Sequence, residues 1–155
     1  MTSDEDDRPL GGYAALMGVF GVALAGSLGA AVAAGRPIPE RVEPVDIVLV
    51  GVATHKLSRL LGKAKVTSVL RSPFTEFQEA SGHGEVEERA RGRGLRRSIG
   101  ELVLCPVCLD QWVAGAFTVG LVAAPRATRL LAAMWTGQAI ADGAQLAYVA
   151  AKQRV

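Results

Sequence analysis

Cys105 and Cys108 are the only cysteines of the chain, and they form a Cys-Pro-Val-Cys unit. Two thiols placed at a helix start meet free backbone N–H groups and the positive end of the helix dipole, which favours thiolate and hence disulfide exchange or metal binding. Two thiolates do not complete a zinc site, which normally takes four ligands. The chain offers two imidazoles, His55 and His83, so a zinc set of Cys105, Cys108, His55 and His83 is the one the sequence permits. It requires His83 to fold back from a loop, and a histidine bonded to a helix carbonyl is the plainer reading of His55. Redox chemistry at the dithiol is the other reading. The tetrapeptide resembles that of glutaredoxins, yet no βαβ pattern surrounds it, so only the local chemistry carries over.

The elements that must position these thiols are apolar. Cys105 and Cys108 lie near the start of an uninterrupted run, residues 102–124, whose only charged side chain is Asp110. At about 1.5 Å per residue it is long enough for a hydrocarbon core of roughly 30 Å. Residues 11–34 form a second such run with no ionisable group but Tyr13, and residues 130–151 a third. A fourth candidate, residues 44–61, is short and carries Asp46, His55, Lys56 and Arg59. Its apolar first half and the reach of Lys56 and Arg59 toward an interface favour a full span over a surface helix. Half of the 155 residues are hydrophobic while only 5% are aromatic, which is unusual for a small water-soluble domain. A cleavable signal is disfavoured because the preceding residues 4–7 are acidic. The formal net charge is only +2, so composition gives no pull toward nucleic acid.

Charge placement then sets an orientation. Eleven lysines and arginines fall on the amino tail, the long connector 63–101 and the carboxyl tail, against four on the opposite side, Arg36, Arg41, Arg126 and Arg129. The positive-inside bias puts both termini and the long connector in the cytoplasm. Within that connector, Ser72 and Pro73 read as a helix start, with Phe74 and Phe77 near the membrane surface. Residues 81–97, including Arg89, Arg91, Arg93, Arg96 and Arg97, read as flexible, charge-segregated chain suited to anionic lipid headgroups. The simpler reading of those arginines is as topology determinants.

Polar residues inside the spans form a second constellation. Gln138, Asp142 and Gln145 share one helical face with Trp135, and lipid would drive that stripe inward. Cys105, Cys108, Trp112 and Gly115 share a face that Gln111 flanks and Asp110 avoids. A cytoplasmic-side cavity is expected in which Arg59 or His55 offsets Asp142 or Asp110, either as an ion pathway or as a structural pair. Gly21, Ala25, Gly29 and Ala33 make a small-residue stripe expected to pack against another helix of the same chain.

Residues 44–151 resemble an uncharacterised family of bacterial membrane proteins, domain of unknown function 1360, which includes a Bacillus sporulation protein. The resemblance rests on Ala53-Thr54-His55-Lys56-Leu57-Ser58-Arg59-Leu60, Lys65-Val66-Thr67-Ser68-Val69-Leu70-Arg71-Ser72-Pro73-Phe74-Thr75, Gly94-Leu95-Arg96-Arg97-Ser98-Ile99-Gly100-Glu101-Leu102, and Cys105-Pro106-Val107-Cys108 with Trp112. It implies a multi-pass envelope protein linked to sporulation or differentiation, and no established reaction. A dithiol in a four-helix membrane bundle is also similar to quinone-linked thiol oxidases, but those use a second cysteine pair that this chain lacks.

The expected architecture is all-α, a four-helix transmembrane bundle with one large cytoplasmic loop at 63–101. An acidic tail (1–10) and a first span (11–34) precede the family-like region. The expected function is that of a structural or accessory component of the bacterial cell membrane. Its partners would be the bilayer and an anionic lipid or a membrane protein. The alternative is a thiol oxidoreductase or metal-binding protein.

Overall fold

The computed structural model describes residues 8–82 and 84–154. The acidic residues 4–7 and His83 therefore lie outside the described residues, and the reading of both rests on sequence. Among the described residues, six α-helices and one two-stranded sheet follow in the order α1 (Leu10–Ala33), α2 (Pro44–Lys63), a 3-10 turn (Lys65–Thr67), α3 (Ser68–Arg71), β1 (Thr75–Gly82), β2 (Glu85–Ala90), α4 (Gly94–Leu104), α5 (Pro106–Ala123) and α6 (Pro125–Lys152).

Proline sets three of the four long starts. Pro44, Pro106 and Pro125 each occupy the first helical position of α2, α5 and α6, where the missing N–H costs nothing and the fixed φ suits the helix. Helix α1 stops differently. Gly35 takes φ +76°, its N–H bonds the Val32 carbonyl at 2.9 Å, and the Arg36 N–H reaches Ala31 at 3.0 Å. This is the left-handed glycine cap that satisfies the last carbonyls of a helix. The connector between α5 and α6 is shorter than the sequence suggests. Only Ala124 intervenes, and residues 125–129 are already helical.

Helix α2 packs between α5 and α6, while α1 lies on α4 and α5. Ala53, Val113, Phe117 and Ala132 form the buried centre, with Leu49, Val50, Leu57, Leu61 and Trp135 around it. Two close approaches depend on a missing Cβ. A side chain on Gly115 would come within 2.9 Å of the Phe20 ring, and one on Gly120 within 2.6 Å of Thr128 Oγ1. Polar ties run between α2 and α6. Arg129 grips Asp46 through two bonds of 2.8 and 2.6 Å, Thr136 Oγ1 donates to the Leu49 carbonyl at 2.9 Å, and Lys56 pairs with Asp142.

Outside this narrow centre the long helices are apolar and uncovered. Met17, Val22, Ile47, Val48, Leu130, Ile140 and Leu146 are all exposed. Helices α1 and α5, whose mean hydropathy reaches 2.0 and 1.3, are long and apolar enough to cross a membrane by length and composition. Charged groups in α2 and α6 dilute their hydropathy. The small-residue stripe departs from expectation: Gly21, Ala25 and Gly29 are exposed and nothing lies near Gly21 or Gly29. The contacts of α1 run instead through Gly12, Phe20 and Leu24.

The connector 63–101 is not one large loop. It folds into a compact cap made of the 3-10 turn, α3, the β1–β2 hairpin and α4. Ser72 ends α3 rather than starting a helix, because the Phe74 N–H turns back onto the Arg71 carbonyl at 2.8 Å and the chain extends into β1. Strands β1 and β2 pair antiparallel, with Thr75 opposite Ala90 and Glu76 opposite Arg89. The segment expected to be flexible is thus largely strand and helix. Its acidic patch is ordered because each carboxylate of β2 finds a cation of α2 or α3.

Candidate functional site: the dithiol cleft and the polar cap

The cap is organised around one buried ion pair. Arg71 and Glu88 have side chains only 2% and 4% exposed, joined by Nε to Oε2 at 2.8 Å. The remaining Arg71 donors reach the Leu61 carbonyl at 2.5 Å, Thr67 Oγ1 at 2.7 Å, the Ala64 carbonyl at 3.2 Å and Ser68 Oγ at 3.2 Å. One guanidinium therefore satisfies the carbonyl end of α2 while holding β2, and a cation suits that end of the helix dipole. Thr75 Oγ1 donates to the same Glu88 oxygen at 3.1 Å. Burial pushes the Glu88 carboxyl up, but the bonds from Arg71, Ser68 and Thr75 and the Arg71 charge outweigh it and hold the group below its ordinary value. Around this centre Arg59 binds Glu85 through two bonds of 2.9 Å, and Lys63 binds Glu87 at 2.8 Å.

Helix α4 is clamped to this cap and to α1. Arg96 donates to the Pro73 carbonyl at 2.7 and 3.1 Å. A Cβ at Gly100 would lie 2.6 Å from the Phe74 carbonyl oxygen, so only glycine lets α4 approach the hairpin base. On the opposite face Ser98, fully buried, lies against Gly12 of α1. Glu101 accepts from Arg97 at 2.9 Å and from the Tyr13 hydroxyl.

Between α4 and α5 the helix breaks at Cys105, whose φ of −100° and ψ of 102° are extended. The span expected at 102–124 therefore begins only at Pro106, and residues 102–104 close α4. Cys105 caps α5: its sulfur accepts the Cys108 backbone N–H at 3.3 Å. The helix-start placement read from the sequence is thus what the fold supplies, and both cysteines are free thiols. They line a cleft of about 700 Å³ bounded by α1, α4 and α5. Phe20 of α1 meets Trp112 of α5 edge to face inside it, with ring centres 5.4 Å apart.

The cluster of Cys105, Cys108 and His55 does not form. Among the described residues no three His, Cys, Asp or Glu side chains converge to hold a metal ion. Equal depth along two helices leaves the direction around each helix open, and His55 points to an exposed face of α2 while Thr54 and Ser58 are buried. The polar constellation is also redistributed. Arg59 serves Glu85 in the cap, so Lys56 takes Asp142 instead. Gln138, Asp142 and Gln145 are exposed rather than turned inward. Among the described residues, one buried oxygen of Asp110 and the hydroxyls of Thr54 and Ser58 have no hydrogen-bond partner.

The arginine run is likewise not uniform. Arg89 reaches Glu76 at 3.4 Å, and Arg96 and Arg97 are bonded as described. The side chains of Arg91 and Arg93 are exposed and make no hydrogen bond or ion pair among the described residues. Sequence reasoning missed the Arg71–Glu88 centre, having counted both only as loop charge. The available signal was the match between three glutamates of β2 and the basic residues of the connector.

The fold and site define a mostly helical protein with an apolar exterior, a polar cap and a dithiol cleft. The chain belongs to the family described as "Protein of unknown function (DUF1360)", whose profile matches residues 49–148. Sporulation protein YjcA of Bacillus subtilis (strain 168) is 36% identical over 90 residues, which cover 56% of this chain and 76% of that protein. No solved structure matches the chain. The family match takes in the cap and the dithiol wall of the cleft, while the wall formed by α1 lies outside it.

Proposed function

We infer that the protein is a multi-pass membrane protein in which α1, α2, α5 and α6 cross the bilayer, with both termini and the cap in the cytoplasm. It serves as a structural or accessory component of the cell envelope, with a part in sporulation or differentiation. The observation that carries this reading is an inversion of the usual surface. Large aliphatic side chains cover the outside of the long helices, whereas an arginine and a glutamate are buried in the cap. An apolar exterior of this kind is stable against lipid and not against water. Thr54, Ser58 and Asp110 inside the bundle fit the same setting, since polar groups in a span face other helices.

The likeness to a sporulation protein supports the cellular role, and the charge bias supports the orientation. The cap is the working surface. Arg91 and Arg93 sit at the entry to α4 next to exposed Leu95, so basic and apolar groups coincide where headgroups would lie. That suits an anionic lipid surface, at about 1 kcal/mol per arginine near the membrane. The test is extraction of native membranes with alkaline carbonate, together with impermeant maleimide labelling of the two thiols. Retention in the pellet, with labelling from the cytoplasmic face, is the expected result. Release into the supernatant, or labelling only from outside, overturns it.

A further inference from the structure

The dithiol cleft has walls of two kinds. Leu16, Met17, Phe20, Leu102 and Trp112 form an apolar slot, and Tyr13, Ser98, Glu101 and Gln111 supply polar groups beside the two cysteines. Its volume of about 700 Å³ suits a small molecule rather than a few waters. Among the described residues no lysine or arginine lines it, and the one carboxylate, Glu101, is already bonded to Arg97 and Tyr13. A phosphate headgroup would find no cation there, so the occupant is uncharged, with an apolar body and oxygen acceptors for a donor such as Gln111. A flat ring fits the slot beside Phe20 and Trp112, which are already arranged edge to face. What the cysteines add is a pair of electrons.

We propose that this cleft binds a lipid-soluble quinone and that Cys105 and Cys108 reduce it. Each thiol gives up its proton, one S–S bond forms between the two cysteines, and the quinone takes both electrons and two protons to become the hydroquinone. The N-cap and third helical positions that the two residues occupy suit such closure. A second, polar cleft of about 470 Å³, lined by Glu88, Arg89, Arg97 and Glu101, also includes Cys105. A dithiol from the aqueous side can re-reduce the pair there by exchange, becoming a disulfide itself. A second cysteine pair is needed where substrate and acceptor meet different parts of a protein. Here one cysteine lines both clefts, so none is required.

The proposal rests on the membrane reading only for the source of the quinone, and the purified full chain tests it separately. Trp135→Phe leaves Trp112 as the sole indole. With decylubiquinone added anaerobically, its fluorescence should fall saturably, and two thiols per chain should disappear as one hydroquinone forms. Leu16→Phe, which narrows the slot, should raise the apparent Kd by about tenfold. Cys108→Ser should keep the quenching and abolish hydroquinone formation. Quenching that never saturates, or that Leu16→Phe leaves unchanged, overturns the site. Thiols that stay intact under saturating quinone overturn the electron transfer. Carbonate extraction of the same protein from native membranes reports on the membrane reading whichever way the quinone result falls.

Discussion

The cap and the long-helix bundle are built on opposite rules. In the cap an ion pair, Arg71 with Glu88, is buried, and Arg89, Arg91 and Arg93 are exposed. In the bundle Ala53 and Ala132 are buried at the centre, and the outer surface is aliphatic. The cap has too few apolar residues for a core, so it holds itself with hydrogen bonds whose loss leaves buried groups unpaired. The bundle needs little core because small residues bring the helices close. The comparison teaches that the two regions bury and expose opposite kinds of side chain, and that they join at α4, which touches both.

Removing one partner of the buried pair should have the largest effect. Arg71→Ala leaves Glu88 without its cation and removes the guanidinium from the Leu61 and Ala64 carbonyls, and should destabilise the cap by about 3–5 kcal/mol. Limited proteolysis of the detergent-solubilised protein should show rapid cleavage between β2 and α4. The double change Arg71→Met, Glu88→Leu should recover much of that loss; equal cleavage in both variants would sink the account of an ion-paired core. Gly100→Ala comes next, at about 1–3 kcal/mol, since the hairpin base must shift to admit a methyl group 2.6 Å from the Phe74 carbonyl. A thermal midpoint matching the parent would mean that α4 can slide.

Acid should separate the two regions more gently. The carboxyl of Glu88 is held below its ordinary value of 4.5 in the folded cap. Its stabilising contribution is therefore complete above that value and is lost as the pH falls through the folded pKa. Cap proteolysis should rise on acidification below about 4.5, and Glu88→Gln should flatten that dependence. A steep acid response surviving in Glu88→Gln would assign it to other carboxylates. The smallest effect is expected at Arg59→Ala. Its pair with Glu85 is well formed but half exposed, and such pairs contribute about 0–1 kcal/mol. A larger loss would show that the hairpin is docked by its outer ion pairs rather than by Arg71.

The helices were legible because their signals are local. Apolar runs delimit α1, α2, α5 and α6 to within about five residues of where they lie, and the Cys-Pro unit marks the head of α5. The cap was not legible. Glu85, Glu87 and Glu88 read as a solvated acidic patch because strand propensity is low there, and only their docking against Arg59, Lys63 and Arg71 makes a strand of them. The same limit applies to the polar residues of the bundle. Periodicity placed Asp142 on a face, but Lys56 became its partner only because Arg59 is drawn away to β2.

By itself the sequence determined that this chain has long apolar helices, a dithiol at the start of one of them, and an arginine-rich connector. Those properties follow from composition and from spacings of a few residues. Tertiary structure alone decided which side chains meet: that Arg71 is buried against Glu88, that His55 stays apart from the thiols, and that α1 closes a cleft over Cys105 and Cys108. Such pairings join residues far apart in the chain. They depend on how each helix is turned about its own axis, which no local pattern specifies.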